Sequence, residues 1–485
     1  MTLRLLFSLT LFGAAVCWGD QPNVLFICID DMRPQLGAYG HDYMITPNLD
    51  QLASEGRLFN HHYAQVPTCG PSRACMLTGK NLKKKSEISH PHLAQTLAGT
   101  AEPGSPETFI HHFKKNGYYT VGMGKISHSG SGWHIDKKTK KGAHELPHSW
   151  NEYLPDTGSR WGKQDQVHDY AYGKDRKADS MPPYECLELE DEDYPDGRLA
   201  QRAVNKLGEL AESDQPVFMA VGFFKPHLPF AAPKKYWDLY DRAKIPLSPN
   251  PDLPDAVDSV FLHGSNEFFA QYPGGREKGG AGKRLSDDYA REIRHANFAA
   301  VTYMDAQVGK VLDQLKATGL DKNTIVVVWG DHGWHLGDHT IWGKHSTFER
   351  ALNSLLLVKV PNIGKPGVAA DGLVATIDIY PTLCELAGLQ KPEGLAGESF
   401  VDVVNDPSNP GKPQVISYWR DILSMRTDRY RLALFNDGKE QRVMLFDHEA
   451  DPNETRNVAE EYLEVVERLT ALMKTNNRGF LPGLE

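Results

Sequence analysis

Short unbroken apolar runs alternate along this chain with longer stretches in which apolar residues recur every three or four positions. Residues 24–29, VLFICI, form the first such run and end at Asp30-Asp31, the pattern of a strand buried on both faces. A helix is predicted next, with Thr46 as N-cap, Pro47 in its first turn, Leu49, Leu52 and Ala53 on one face and Gly56 at its end. Ser105-Pro106-Glu107 is expected to open another helix, with Phe109 and Phe113 on one face and Gly117 closing it. Residues 118–123 then read as a strand leading to Gly124-Lys125. Leu199, Ala203, Val204, Leu207 and Leu210 make a helical stripe before the apolar run 217–223, which leads to Lys225-Pro226-His227. A long helix is predicted from about Ser286 to Thr318, capped by Gly319, and the run 324–329 after it leads to Asp331-His332-Gly333.

Alternating strands and helices predict an α/β fold: a large domain with a central, mostly parallel sheet flanked by helices. Ligands of such sheets bind beyond the C-terminal ends of the strands. Four predicted strand ends carry charged or imidazole groups, and burying these unpaired would be costly, so the set reads as one site. Beyond Gly388 the composition turns to Pro, Gly and Asp up to about Lys412. Strand-like runs at 414–419, 430–435 and 443–446 and a helical pattern over 458–473 follow. The expected division is an export signal over 1–19, a catalytic domain over 20–405 and a smaller α+β C-terminal part over 406–485, consistent with a length of 485 residues.

The first 19 residues carry Arg4 and then an apolar run from Leu5 to Val16, the form of a secretory signal. No later segment offers about 18 uninterrupted apolar residues, so no integral membrane span is expected. Export to a periplasmic, extracellular or lysosome-like compartment is the localisation this implies. Five cysteines remain after the signal, Cys28, Cys69, Cys75, Cys186 and Cys384, and they do not make a disulfide framework. A formal charge of −10, spread over acidic and basic residues alike, argues against nucleic acid as a partner.

The chemistry concentrates at Cys69, in Pro67-Thr68-Cys69-Gly70-Pro71-Ser72-Arg73. A helix opening there would offer free N–H groups to an oxyanion and favour the thiol as an anion. Asp30, Asp31 and Asp331 supply hard carboxylate oxygens from two strand ends, a donor set suited to Ca²⁺, with Mg²⁺ second, rather than to zinc.

The C-x-P-S-R pattern, continued by Leu77-Thr78-Gly79-Lys80, resembles the sulfatases of the alkaline phosphatase superfamily. The likeness runs from Asn23 to about Val458. It is strongest to the iduronate-2-sulfatase branch, on Asp30-Asp31-Met32-Arg33-Pro34, Lys225-Pro226-His227-Leu228-Pro229-Phe230, Asp331-His332-Gly333-Trp334 and Asp451-Pro452-Asn453-Glu454. The resemblance implies that Cys69 is oxidised by a separate formylglycine-generating enzyme to an aldehyde that hydrates to a diol. It also implies one calcium ion held by Asp30, Asp31, residue 69, Asp331 and His332, the last standing where asparagine is commoner. Lys125 and Lys344 would bind the sulfate and Arg73 would fix the hydrate. The hydrate would attack sulfur while His227 protonates the departing alcohol, and His128 would take a proton from the second hydroxyl.

A sulfated carbohydrate is the expected substrate, with a 2-O-sulfated uronic acid its leading member. Asn353-Ser354-Leu355 departs from the relatives' pattern, and the poorly matched loops between Ser129 and Asp193 are expected to form the pocket rim. Lys83 to Lys85 and Lys137, Lys138, Lys140 and Lys141 are candidates for attracting a polyanionic sugar. A phosphonate or phosphoester hydrolase on the same scaffold, and a catalytically silent sulfated-glycan-binding relative, are the alternatives.

Overall fold

Strand β1, Asn23–Ile29, is the middle of a seven-stranded sheet, and after Asn23 it is apolar throughout because both its faces are covered. Leu25, Ile27 and Ile29 point into one apolar core, while Val24, Phe26 and Cys28 point into another, as the two-residue period of a strand requires. The computed structural model describes residues 21–97, 101–102, 107–130, 132–135, 142–156 and 169–476. The predicted signal over 1–19 lies outside the described residues, as do Ser105, Pro106, Lys137, Lys138, Lys140 and Lys141.

After β1 come helix α1, Pro47–Glu55, helix α2, Cys69–Thr78, helix α3, Phe109–Lys115, and strand β2, Tyr119–Gly124. Helix α4, Pro195–Leu210, strand β3, Val217–Phe223, helix α5, Asp287–Ala317, strand β4, Thr324–Gly330, and strand β5, Leu356–Lys359, complete the large unit. The sheet order is Arg57–Leu58, β5, β4, β1, β3, β2, Glu152–Leu154. The strands from β4 across to Glu152–Leu154 are parallel, whereas β5 runs antiparallel to both its neighbours, β4 and Arg57–Leu58, so that edge strand points the same way as β1. Helices α1, α4 and α5 cover one face. Helices α2, α3 and α6, Ile379–Leu386, cover the other.

Of two helix starts, the first has the predicted N-cap residue and the second does not. Thr46 is the N-cap of α1 but makes no cap bond; its hydroxyl accepts from Gly37 N–H and donates to Asp50 instead. For α3 the N-cap is Thr108, whose side chain accepts from His111 N–H, rather than Ser105. Helix α5 starts as predicted, with the Ser286 hydroxyl accepting from Tyr289 N–H.

The C-terminal part holds a four-stranded antiparallel sheet, β6 (Val415–Trp419), β7 (Ile422–Arg426), β8 (Tyr430–Asn436) and β9 (Gln441–Asp447), followed by helix α7, Leu463–Asn476. The expected edge at 405/406 coincides with the end of a short helix, Val401–Asn405. The apolar core does not stop there. Val415, Tyr418, Leu423, Leu432 and Leu445 join the same cluster as Phe26, Trp329 and Tyr380.

Candidate active site

The sheet itself brings the aspartates together. Ile29 pairs with Gly330 in adjacent parallel strands, so Asp30-Asp31 and Asp331 leave the sheet side by side. Asp31 turns the chain with a φ of 58° and donates its N–H to Asp331 Oδ1 at 2.9 Å. All three carboxylates are buried.

Cys69 is the first residue of α2, preceded by the extended Thr68. Gly70 beside it is required by close approach, because a Cβ there would sit 2.5 Å from the Cα of His90. Cys69 Sγ lies 3.3 Å from Lys344 Nζ, 3.4 Å from His332 Nε2 and 3.8 Å from Asp31 Oδ1. One turn on, Arg73 donates from Nε to Asp331 Oδ2 at 3.0 Å and from Nη2 to Asp30 Oδ1 at 3.1 Å, and bonds the Lys125 carbonyl as well. Lys125 Nζ pairs with Asp30 Oδ2, and Lys344 Nζ with Asp31 Oδ1 at 2.8 Å.

These contacts set the charges. Burial raises the Cys69 thiol well above its ordinary value, and the neighbouring Asp30 adds to this against Lys125 and Lys344. The expected thiolate at the helix start is therefore corrected: an unmodified Cys69 in this surrounding is a neutral thiol. Burial opposes the charge on Lys344, but Asp31 and Glu267 outweigh it and hold the ammonium well above the usual lysine range. Burial likewise opposes ionisation of Asp30, and Lys125, His227 and Arg73 overcome it.

Both histidines facing the aspartates have a fixed tautomer on one side. His332 Nδ1 lies 2.9 Å from the Gly333 carbonyl and His227 Nδ1 lies 2.7 Å from that of Leu228, so each donates from Nδ1. His332 Nε2 then faces Asp31 Oδ1 at 3.3 Å and Asp331 Oδ1 at 3.7 Å. His227 Nε2 faces Glu267 Oε1 at 3.3 Å and Asp31 Oδ2 at 3.7 Å. Lys225, which precedes the His227 turn, bonds the carbonyls of His227 and Pro229, bracing that turn.

His128 follows Lys125 on the same loop, and the structure links it to Cys69 through a second ring. It stacks on His90 with centroids 4.0 Å apart, and His90 Nδ1 accepts from Gly70 N–H at 3.3 Å. Burial and then His90 and Lys125 depress His128 well below the ordinary histidine value, so it is neutral, and its Nδ1 has no hydrogen-bond partner.

Glu267 and His90 escaped the sequence reading. Glu267 Oε2 is 3.5 Å from Lys344 Nζ, and it arrives there because Ser265 Oγ accepts from Trp342 N–H at 2.8 Å, docking the short helix Asn266–Gln271 on the strand before Lys344. Neither residue stands at a strand end or in a motif that would have marked it. Of the lysine runs, Lys83 to Lys85 are exposed, and Lys85 pairs with Asp421 beyond β6.

Asp30, Asp31, Cys69 and His227 offer ligand atoms within 4.8 Å of one another, as do Cys69, Asp331 and His332. The two groups share Cys69, and their three buried carboxylates with the His332 lone pair are a donor set that fits a hard divalent cation, which would relieve their mutual repulsion.

A sulfatase family model matches residues 22–389, and a model for the C-terminal region of N-sulphoglucosamine sulphohydrolase matches residues 337–478. The chain is similar to iduronate 2-sulfatase from Homo sapiens, 31% identical over 451 residues that cover 82% of this chain and 78% of the relative. It is also similar to a sulfatase from Formosa agariphila, 30% identical with 94% and 87% covered. In structure it resembles a phosphonate monoester hydrolase from Silicibacter pomeroyi, with a TM-score of 0.75 at 23% identity over 95% and 96% of the two chains.

Proposed function

Because the chain belongs to the sulfatase family and is a sulfuric ester hydrolase, we propose that it removes sulfate from a sulfated carbohydrate at residue 69, matured to formylglycine. The observation that carries this reading is the setting of Cys69: first residue of a helix, within 3.3 to 3.8 Å of Lys344, His332 and Asp31. Formylglycine supplies a hydrated aldehyde oxygen as nucleophile, and calcium supplies positive charge beside the sulfate.

Asp30, Asp31, Asp331 and the Nε2 of His332 would hold that calcium, together with residue 69. The charge balance supports it. Four carboxylates, counting Glu267, face Arg73, Lys125 and Lys344, a balance that repels an anionic ester until a divalent cation reverses its sign.

Lys125 and Lys344 would then screen the sulfate oxygens. Arg73, clamped between two aspartates, holds α2 and so fixes the direction from which residue 69 reaches sulfur. His227, its Nδ1–H tied to Leu228, presents only Nε2 to the leaving oxygen and, when both ring nitrogens carry a proton, is the proton donor for the alcohol. Neutral His128 is the base that takes a proton from residue 69 and regenerates the aldehyde. A 2-O-sulfated uronic acid is the substrate supported by the likeness to iduronate 2-sulfatase. Maturation by a formylglycine-generating enzyme and export follow from the same reading. Among the described residues no helix is long and apolar enough to cross a membrane.

Release of inorganic sulfate from defined sulfated oligosaccharides tests the proposal, with peptide mass spectrometry at position 69. Cys69→Ala is expected to abolish release while preserving the fold. His227→Ala is expected to cost about 10²–10⁴-fold on sugar sulfates and far less on aryl sulfates, whose phenol leaves without protonation. Full turnover with an unmodified thiol at 69, or cleavage of phosphonate esters alone, would refute it.

A further inference from the structure

Arg33, two residues past Asp31 and bonded to the Trp334 carbonyl at 3.1 Å, lines a second polar cavity of about 300 Å³. Arg33, His61, Glu349, Arg350, Arg426 and His448 are among its lining residues. Small-molecule sites start at roughly this size.

Its charges do not balance. Asp338 is the carboxylate that Arg33 and Arg350 share, with Arg33 Nη1 at 2.9 Å and Arg350 Nε at 3.5 Å. Its oxygens are also occupied by Ser248 Oγ and Leu336 N–H. Arg294, bonded to the carbonyls of Pro246 and Leu336, is close enough to feel Asp338, Arg33 and Arg350 together. Burial first, and then the two neighbouring guanidiniums against Asp338, bring Arg294 down to about 10. Across the cavity Glu349 and Glu454 are neutralised by Arg426 and Arg431. Five guanidiniums therefore meet three carboxylates. Arg426 Nε, buried and without a hydrogen-bond partner, lies 3.5 Å from Glu349 Oε2.

Glu349, His448 and Glu454 also approach one another closely enough to suggest a cation site. Arg431 already holds both carboxylates, so a cation would meet a guanidinium, and the excess charge calls for an anion instead.

We propose that this cavity is an oxyanion subsite that receives the carboxylate or sulfate of a second sugar residue while the ester lies at residue 69. Arg350, partly exposed and holding one shared carboxylate and Asn453 Oδ1 at 3.2 Å, is its principal contact, with Arg33 behind it. Guanidinium suits this role because it offers a planar fork to a carboxylate or sulfate. The inference rests on the reading that the substrate is an anionic carbohydrate. It adds a preference for oligosaccharides over monosaccharide or aryl sulfates.

Arg350→Gln tests it, measured in the calcium-loaded, matured enzyme. With a sulfated, uronate-containing tetrasaccharide, KM is expected to rise about tenfold, equivalent to about 1.4 kcal/mol, with kcat unchanged. KM and kcat for an aryl sulfate should not move, nor should the melting temperature. Equal tetrasaccharide KM in both proteins overturns the proposal. Crystals soaked in selenate give an independent reading: an anomalous peak between Arg33 and Arg350 is expected, and its absence while selenate fills the catalytic centre also overturns it. Selenate in the cavity with no change in tetrasaccharide KM would assign the cavity to free oxyanion and remove the sugar subsite. Loss of all sulfatase turnover in the unsubstituted chain would instead count against the hydrolase reading, leaving the selenate soak to decide the cavity.

Discussion

A half-buried carboxylate in a site built for an anion is unfavourable unless it steadies something the reaction needs, and Glu267 steadies two things. It lies 3.5 Å from Lys344 Nζ and 3.3 Å from His227 Nε2. Burial opposes its ionisation, but Lys344 and His227 hold it well below the ordinary carboxylate range, so it is charged. Glu267→Gln removes one negative charge beside the sulfate position. Product sulfate should then bind more tightly, its inhibition constant falling roughly five- to tenfold at an effective dielectric near 20, while turnover of sugar sulfates falls because His227 loses its partner. Inhibition by added sulfate, measured beside kcat, checks both signs, and an unchanged inhibition constant would place Glu267 outside the site. The residues that sequence spacing marked, Asp30, Asp31, Lys125, His227 and Asp331, all lie at or just past strand ends, where the fold has one place to put them. Glu267 was illegible because its position depends on the Ser265 to Trp342 bond, a contact between a helix start and a strand far apart in sequence.

At the scale of elements, the site depends on how closely β2 approaches β3. Lys125 N–H donates to the Gly222 carbonyl at 2.8 Å, and a Cβ on Gly222 would stand 2.2 Å from the backbone C and O of Lys125. Gly222→Ala must therefore move the Lys125 backbone, and with it the ammonium on Asp30 and the carbonyl that Arg73 bonds. A stability loss of about 1–3 kcal/mol is expected, with a fall in kcat larger than unfolding accounts for, as seen by comparing urea denaturation with turnover. A second joint involves His62, buried between Ser354 and Thr376, where burial lowers it to about 4. Its folded value lies below the 6.5 of a free histidine, so between these pH values the unfolded chain binds the extra proton. The stability it protects is complete above pH 6.5 and is lost as pH falls towards 4, amounting to about 3 kcal/mol. In His62→Gln the fall in urea stability over that window should shrink by that amount. Most elements were legible because their apolar periods are unambiguous. Strand β7 was passed over because Ser424 and Arg426 interrupt its apolar run, although both are buried, Ser424 accepting from Arg431 and Arg426 lying against Glu349.

For the whole molecule, the Pro, Gly and Asp stretch after Gly388 suggested a boundary, whereas the apolar cluster under β1 and β4 continues into β6, β7 and β8. Composition reports a break in regular structure; it does not report which apolar faces meet across it. The polar seam over that shared core is closed by Arg431, which is buried and pairs with Glu349 and, at 2.8 Å, with Glu454. Glu454 in turn accepts from Glu349 N–H at 2.7 Å. The helix that starts at Glu349 leaves no room beside Gly333, where a Cβ would lie 2.2 Å from the Arg350 carbonyl, so the clip fixes the loop that carries His332. Arg431→Ala would take the shared guanidinium from the buried Glu454 and the half-buried Glu349, which keeps Arg426, and should cost about 3–5 kcal/mol. Arg431→Met combined with Glu349→Gln and Glu454→Gln removes all three charges together and should recover most of that stability. If the triple variant is stable yet turns over sulfate esters poorly, the clip serves to position His332; if turnover returns with stability, its contribution is to the fold alone. A cost below about 1 kcal/mol for Arg431→Ala would mean that the apolar core by itself joins the two parts.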